Sequence, residues 1–316
     1  MSSVVLHAAV FTAGAILGGS VAVALASKNN QQRPQPPSGP LALTSGVLKH
    51  GDPGPIADAL VHKAYVAAYD RRLRHPAWTA EHLTLNSLGR SQPSEFGDRS
   101  KSAFVENTSI PVPFRARLQD YFRSGYDRGH MVPAADAKSS QEAMNETFLL
   151  TNIAPQVGDG FNRHYWAYLE DWCRRLTNTF QDVYVFTVPL YLPRQDTDGK
   201  WRVTHEVIGS PPNVSVPTHF AKVVLASRPS SPSTPHIPEV STGAFVLPNA
   251  IIPDEASLES FIMPVEAVER AAGLSLFSDE IKASSKHICK TTKCQVIVRR
   301  FDDARKNTQK VITAPK

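Results

Sequence analysis

Runs of alternating or β-branched residues constrain the fold of this chain more than any other feature. Such runs are typical of strands with a buried face, and Pro and Gly residues separate them here. They predict strands of a mostly antiparallel sheet at Asp182–Val188, Arg202–Ile208, His219–Ala226, Ala244–Leu247 and Gln295–Val298. The Pro- and Ser-rich stretch Ser227–Pro238 lies between two of these runs, and we expect it to be an irregular surface loop.

Two segments have the periodicity of amphipathic helices. In about Phe161–Thr179, large apolar residues recur at spacings of three and four, which places them on one helix face. The second segment, about Pro264–Ala272, is followed by Gly273, a residue type that commonly ends helices. Helices mixed with mostly antiparallel strands, without an internal repeat, predict the α+β class.

Composition limits the classes of protein to which the chain can belong. Its 316 residues are 41% hydrophobic, enough for a large buried core in a globular domain. A formal net charge of +5 is compatible with a polyanionic partner but does not establish one. Three cysteines, Cys173, Cys289 and Cys294, are too few for a disulfide-rich fold, although one pair can form. A zinc site at His287, Cys289 and Cys294 is a weaker alternative, because it supplies only three ligands at an unusual spacing.

The segment Val4–Ala26 is almost wholly apolar and contains no Lys, Arg, Asp or Glu. It is about long enough to span a bilayer. A cleaved secretory signal is the alternative, since Ala24–Ala26 has the small-x-small form of a cleavage site, but no Lys or Arg precedes the apolar run. We therefore predict an uncleaved membrane anchor at residues 1–27.

The rest of the chain divides by composition into three parts. Residues 28–54 begin with a stretch rich in Pro, Gln and Ser, which predicts an extended tether. Residues 55–308 contain the predicted strands and helices and are expected to form one domain. Residues 309–316 form a basic tail.

The first candidate for catalytic chemistry is Tyr126–Met131, with the sequence YDRGHM. Aromatic residues precede it and Pro133 follows, so a short strand is predicted, in which Arg128 and His130 share a face. A guanidinium beside an imidazole suits phosphodiester cleavage, because the cation binds phosphate while a neutral imidazole removes a proton from water. An imidazole with an ordinary pKa titrates near pH 6.5. Taken alone, however, a pattern this short is more often structural.

The second candidate lies in the first predicted helix, where eight residues separate Asn162 from Glu170. At about 3.6 residues per turn, the two side chains lie on nearly the same helix face. Mg²⁺ prefers oxygen ligands, usually takes only one or two from protein, and retains waters. Asn162 as a ligand and Glu170 as an acceptor beyond it fit that preference. The alternatives are a helix-capping Asn and a solvated Glu.

These segments, in this order and spacing, resemble the DNA/RNA non-specific endonuclease family, and within it the fungal mitochondrial nucleases related to endonuclease G. The similarity extends from about Gly54 to about Phe301. The motifs that carry it are Tyr121–Met131, Thr151–Gln156, Gln156–Trp166 and Val216–Phe220.

The resemblance implies a ββα-metal (His-Me finger) fold and cleavage of both DNA and RNA that leaves 5′-phosphate ends. It implies Mg²⁺ as cofactor, with Mn²⁺ as an alternative. It also implies a homodimer at the mitochondrial inner membrane, with the nuclease domain in the intermembrane space and with release to the nucleus as a further expectation. The rival interpretation is a membrane-tethered nucleic-acid-binding protein that has lost its activity.

Residue roles follow from the same resemblance. It implies that His130 is the general base, Asn162 the direct metal ligand and Glu170 the acceptor for a metal-bound water. Arg128 and Asn152 match positions that line the site in the family.

Other positions match the family less closely. Thr151 stands where Ser is usual, which retains the hydroxyl. A further active-site arginine is implied upstream, within residues 90–101, and Arg99 is the predicted one. Further basic residues are predicted to contact phosphates without reading bases, with a solvated basic surface as the alternative. These residues are Arg71, Arg72, Arg74 and Arg163.

Overall fold

The computed structural model describes residues 53–89 and 97–298. The predicted anchor at 1–27 and the basic tail at 309–316 lie outside the described residues, as does nearly all of the tether at 28–54. Within the described ranges, no helix combines the length and apolar character needed to cross a bilayer. The described residues from Pro55 onward belong to one compact unit.

The strands form one large sheet and several hairpins. In the described chain they are β1 (Ala57–Val61), β2 (Tyr65–Asp70), β3 (His75–Leu83), β4 (Asp127–His130), β5 (Ile153–Gln156), β6 (Asp182–Leu190), β7 (Arg194–Gln195), β8 (Trp201–Arg202), β9 (Val207–Ile208), β10 (Val214–Ser215), β11 (His219–Pro229), β12 (Pro238–Pro248), β13 (Ile262–Met263) and β14 (Lys286–His287).

The large sheet has the order β1-β2-β3-β6-β11-β12-β13, with β14 added beside β12. Its pairings are antiparallel, apart from the parallel pair formed by β12 and β14. The pairs β4–β5, β7–β8 and β9–β10 stand outside it. The prediction of a mostly antiparallel α+β fold is confirmed.

The helices are short, apart from one that packs across the sheet. The α-helices described are α1 (Leu118–Tyr121), α2 (Gln141–Glu146), α3 (Trp166–Leu176), α4 (Val265–Ala272), α5 (Asp279–Ser284) and α6 (Ile288–Thr291). Single 3₁₀ turns occur at Arg99–Lys101, Val112–Phe114, Ala134–Asp136, Leu150–Asn152 and Leu258–Phe261. A helical segment at Gly158–Tyr165, with non-helical dihedral angles at Asp159 and Gly160, leads directly into α3.

The three central strand predictions are confirmed by β6, β11 and β12, all of which extend further than the patterns indicated. Only residues 230–237 of the predicted loop lie outside these strands, because β11 and β12 remain paired out to Pro229 and Pro238. The predicted second helix is α4, and Gly273 caps it in the left-handed conformation.

Two strand predictions are wrong. Arg202–Ile208 is not one strand, since only its ends pair, in the separate hairpins β7–β8 and β9–β10. Gln295–Val298 forms no strand, although Val296 is buried. A β-branched run indicates that a segment packs well when extended, but not that a partner strand lies beside it.

Both faces of the sheet are covered by apolar packing. Along β11, Phe220 and Val224 face one core while Ala221 and Val223 face the other, as strand alternation requires. The first core includes Leu169 and Trp172 of α3, and the second includes Val265 and Val268 of α4. Burial of such side chains contributes roughly 1.5–3 kcal/mol each. This packing fixes α3 against the sheet, and α3 carries one side of the site.

The module that presents the site consists of β4, β5 and α3. His130 at the end of β4 lies opposite Ile153 at the start of β5. Gly129 is required in β4, since a Cβ there would lie 2.1 Å from the side-chain oxygen of Gln156. Gly160 turns the chain into the helix with a φ of 73°, and a Cβ added at this position would lie 2.6 Å from the Ile251 side chain. The predicted ββα-metal arrangement is confirmed.

Candidate active site

A cleft of about 570 Å³ opens between β4 and the start of the long helix. Four residues predicted from the β4 and helix patterns meet there, together with the predicted upstream arginine and one of the predicted phosphate contacts. Its lining includes Arg99, Arg128, His130, Asn162, Arg163 and Glu170. Asp159 and His164 also line the cleft. Arginines, imidazoles and oxygen-bearing side chains together are suited to binding and cleaving a phosphodiester.

His130 is nearly buried, with 8% of its surface exposed. Its ring lies 5.3 Å from the ring centre of Phe104 and meets Phe148 edge-on at 4.8 Å. Burial, together with the charges of Arg99 and Arg128, lowers the pKa of His130 to about 3. The imidazole is therefore neutral at neutral pH and able to accept a proton. The ordinary imidazole pKa of about 6.5 therefore does not apply to His130, because burial and the two arginines lower it.

The two aromatic rings also support the arginines of the cleft. The guanidinium carbon of Arg128 lies 4.3 Å from the ring centre of Phe104, and that of Arg99 lies 5.4 Å from that of Phe148. Such cation–π contacts favour positions in which the charge lies over the ring. Phe104 and Phe148 thus place His130 and two cations around one point. Neither ring was singled out from the sequence, because only the folded chain brings them beside β4.

Asn152 does not line the cleft, contrary to the expectation for this position. Its side chain is fully buried and donates to the carbonyl oxygens of Val132 and Thr147 at 2.9 and 2.8 Å. The side-chain oxygen of Asn152 accepts a hydrogen bond from the backbone amide of Val132 at 3.0 Å. All of these bonds are to backbone atoms, so Asn152 holds the backbone just after His130 in place. Both of its side-chain amide hydrogens are used, and none is left for substrate.

A second buried anchor holds the residue that follows His130. Thr187 and Lys222 donate to the Met131 carbonyl oxygen at 3.0 and 3.2 Å, and Lys222 also donates to Thr187 at 2.7 Å. Lys222 is 1% exposed and lies on the face of β11 that packs against the module. Burial of a charged group costs free energy, and it is tolerated where the fold supplies hydrogen-bond partners, as it does here. Sequence analysis missed both residues, since a lone Lys in an apolar strand gives no signal of its partners.

Asp127 orients the predicted metal ligand. The Asn162 side-chain nitrogen donates to Asp127 at 2.8 Å. The side-chain oxygen of Asn162 is left without a hydrogen bond from the described residues. Arg163 donates to both carboxylate oxygens of Asp127, at 2.8 and 2.7 Å. Burial raises the pKa of Asp127, but the bonds from Arg163 and Asn162 outweigh it, so the pKa lies below its ordinary value. Asp127 is therefore an anion that fixes which end of the Asn162 amide is available.

Glu170 lies two turns beyond Asn162 and lines the same cleft, as the spacing predicted. Burial raises the pKa of Glu170 to about 7, against the opposing effect of Lys222 and Arg174. A carboxyl group with a pKa near neutrality exchanges protons and hydrogen bonds readily at physiological pH. Its position and pKa are consistent with an acceptor in the cleft, and they contrast with the alternative of a solvated surface residue.

The remaining predicted phosphate contacts lie elsewhere. Arg71 forms a bidentate pair with Asp58 at 2.7 and 2.6 Å. Arg72 pairs with Asp70, and Arg74 donates to backbone carbonyl oxygens, including that of Arg71. None of the three arginines lines the cleft. Their partners belong to β1, to the β2–β3 turn and to the 3₁₀ turn at Val112–Phe114, so the three arginines form a basic surface away from the cleft.

The zinc alternative is wrong, because Cys289 and Cys294 form a disulfide. Cys173 is a buried free thiol. Within the described chain, no group of three or more His, Cys, Asp or Glu residues is placed to hold a metal ion. The oxygen donors that line the cleft are instead the amide oxygen of Asn162, the carboxyl of Glu170 and the exposed carboxyl of Asp159. Such hard oxygen donors fit a Mg²⁺ or Mn²⁺ ion that retains most of its waters.

Comparison with known proteins assigns a family to this arrangement. The model of the DNA/RNA non-specific endonuclease family matches residues 43–283. A relative from Schizosaccharomyces pombe, Nuclease 1, mitochondrial, is 51% identical over 263 residues, covering 83% of this chain and 79% of the relative. The Mitochondrial nuclease of Saccharomyces cerevisiae is 47% identical, with 82% and 78% covered.

The similarity extends to an animal protein and to a solved structure. The human Endonuclease G, mitochondrial, is 40% identical over 237 residues, covering 75% of this chain and 74% of the relative. A crystal structure of the EndoG/EndoGI complex aligns with a TM-score of 0.64 and 44% identity, covering 73% of this chain and 89% of that one.

Proposed function

The chain belongs to the DNA/RNA non-specific endonuclease family, and from this premise we propose that its cleft hydrolyses phosphodiester bonds of both DNA and RNA with His130 as general base. The protein is a metal-dependent nuclease, as its family is. The observation that carries the assignment of the site is the meeting of a neutral imidazole, an uncommitted amide oxygen and three arginines in one cleft.

The roles of the residues follow from their positions. Arg128 and Arg99 bind the phosphate, held in place by the aromatic rings beneath them. His130, neutral and fixed at the end of β4, accepts a proton from the attacking water. Attack in line with the departing 3′ oxygen leaves the phosphate on the 5′ end of the product.

Mg²⁺ is the proposed cofactor, with Mn²⁺ as an alternative of similar ligand preference. Asn162 would hold the ion directly and Glu170 through a water. When bound, the ion supplies Lewis-acid stabilisation of the charge on the phosphate and on the departing oxygen. Asp127 prepares the site by binding the amide nitrogen of Asn162, so that the oxygen is the end available to a cation.

The same lining accounts for the absence of sugar and base selectivity. Arginines bind phosphate oxygens, which every nucleic acid presents, and such contacts position a strand without specifying its sequence. Arg163 belongs to this set by location, although part of its bonding capacity is used by Asp127.

The direct test uses purified protein with plasmid DNA and with RNA, in Mg²⁺ or in EDTA. We expect cleavage of both substrates in Mg²⁺ and none in EDTA. His130→Ala should lose roughly 10²–10⁴-fold in rate while still binding both substrates. His82→Ala, at a partly exposed histidine paired with Asp182 outside the cleft, is the matched control. Binding without cleavage by the wild-type protein would establish the rival nucleic-acid-binding function. Retention of more than about a tenth of the rate by the His130 variant would remove it as the base.

For cellular location, we propose that this is a mitochondrial protein whose residues 1–27 anchor it in the inner membrane, with the nuclease domain in the intermembrane space, and that it forms a homodimer. Release to the nucleus would require separation from that anchor. The curated mitochondrial relatives and the apolar Val4–Ala26 segment support the proposal. Removal of residues 1–40 should leave the Mg²⁺-dependent rate unchanged and abolish resistance to carbonate extraction. A mature chain that begins at Ser27 would contradict the anchor, and light scattering tests the dimer.

A further inference from the structure

A second, smaller cavity of about 240 Å³ adjoins the catalytic cleft. Arg128 lines both cavities and Asp127 lines the smaller one, so the two cavities adjoin across β4. The other residues that line the smaller cavity come from α1 and from the turn that follows it. They are Leu118, Tyr121, Phe122, Arg123 and Tyr126. Three of these five are aromatic and one is cationic, a combination typical of surfaces that bind single nucleic-acid strands.

Phe122 is the most unusual of these residues because 70% of its surface is exposed. The guanidinium carbon of Arg123 lies 5.1 Å from its ring centre. Arg123 adopts a φ of 52°, a conformation that few residues other than Gly favour. The chain thus presents an apolar ring and an arginine together to solvent, beside the catalytic Arg128.

Tyr121 forms the inner wall of the same cavity. It is 6% exposed and packs in an apolar cluster with Ala116, Leu150 and Ile153.

We propose that this second cavity binds a nucleotide of the substrate strand next to the scissile phosphate, with its base stacked on Phe122 and its phosphate between Arg123 and Arg128. The proposal rests on the nuclease function proposed above. All bases have a π face, so stacking on Phe122 selects no sequence. It does require a free face on the base, so the cavity favours unpaired or locally opened strands over intact duplex.

The first test compares Phe122→Ala with Phe122→Trp. The matched control is Trp201→Ala, which removes a ring that is 67% exposed on β8 and lines neither cavity. On a short single-stranded oligonucleotide, Phe122→Ala should raise KM about 5- to 150-fold, the range for loss of one base–aromatic stack. We expect kcat to change little, Phe122→Trp to restore KM, and the duplex to be less affected than the single strand. Equal KM values for Phe122→Ala and Trp201→Ala would overturn the proposal.

Two further measurements separate this proposal from the nuclease assignment. Methyl p-nitrophenyl phosphate has no base, so its Mg²⁺-dependent hydrolysis reports the catalytic cleft alone. Hydrolysis of neither this substrate nor the oligonucleotide by the wild-type protein would refute the nuclease assignment. Activity on both with no effect of Phe122→Ala would refute only the stacking subsite.

Binding can also be observed without cleavage. In the His130→Ala background, a 2-aminopurine base in the oligonucleotide should be quenched on binding, and Phe122→Ala should abolish that quenching. Arg123→Gly is a suitable variant because Gly adopts the left-handed backbone at this position. It should reduce the magnitude of the slope of log affinity against log salt by about 0.7, the value expected for the loss of one phosphate contact. Unchanged quenching and an unchanged slope would assign this surface to another partner.

Discussion

The orientation of Asn162 by Asp127 is open to a sharp test. The Asn162 amide nitrogen donates to Asp127 at 2.8 Å, so its oxygen is left for a cation. Asp127→Ala removes that acceptor. The Asn162 amide can then rotate and present its nitrogen, which repels a metal ion. The variant should therefore fold, bind nucleic acid and lose metal affinity.

The size of the effect follows from the bond that is lost. A hydrogen bond to a charged group contributes about 1.5–3 kcal/mol, which corresponds to about 10- to 150-fold in an equilibrium constant. Loss of partners that orient metal ligands typically costs about 10- to 100-fold in metal affinity or activity. We therefore expect the half-saturating Mg²⁺ concentration to rise about 10- to 100-fold, with most of the rate regained at high Mg²⁺.

The assay is a Mg²⁺ titration of plasmid nicking at saturating DNA. Arg163→Ala is the matched control, since it breaks the ion pair with Asp127 but leaves the bond to Asn162. The Arg163 side chain is 63% exposed, and such surface pairs contribute only about 0–1 kcal/mol. Asp127→Asn, which keeps an acceptor oxygen without the charge, should fall between the two. Equal Mg²⁺ requirements for Asp127→Ala and Arg163→Ala would refute the reasoning.

Three further outcomes are expected. Glu170→Ala should be partly rescued by raised Mg²⁺ and should be less defective than Asn162→Ala; equal, metal-insensitive rates would contradict this division of roles. Burial lowers the pKa of His75 to about 4 from 6.5, so only the unfolded chain is protonated between these values. The contribution of His75 to the free energy of unfolding should thus fall by about 3 kcal/mol as pH drops from 6.5 to 4, so His75→Gln should lose less stability than the wild type over that range in denaturant titrations. Reduction of the Cys289–Cys294 disulfide should lower the unfolding free energy by about 2 kcal/mol, and the double Ser variant should show no effect of reductant.

Local spacing predicted correctly which candidate side chains lie on the same side of one element. Arg128 and His130 are two apart in a strand and share a face, and Asn162 and Glu170 are two helical turns apart. Each of these relations depends only on the side-chain periodicity of a single helix or strand, which can be counted along the sequence. The resemblance to a family then related the two elements to one another and led to the choice of Arg99, which no spacing indicated and which lines the cleft.

The supports of the site could not be predicted in the same way. Phe148 lies 18 residues beyond His130, and Lys222 reaches the carbonyl of Met131 from 91 residues away. Contacts of this kind depend on which strands pair and on which sheet face each residue takes. The same limit explains β2, whose Ala-rich sequence gives a weak strand pattern although pairing on both sides buries it. Asn152, expected in the cleft, proved to be one of these supports.

The low pKa of His130 has two kinds of cause, and they respond differently to substrate. Burial penalises the imidazolium whether or not the cleft is occupied, whereas Arg99 and Arg128 act through their charges. A phosphodiester anion bound by these arginines offsets their charge, so the part of the shift that they cause becomes smaller in the complex. The imidazole is then a stronger base with substrate bound than without it. In the proposed function, the two arginines would therefore bind the phosphate and also couple its presence to the proton-accepting strength of His130.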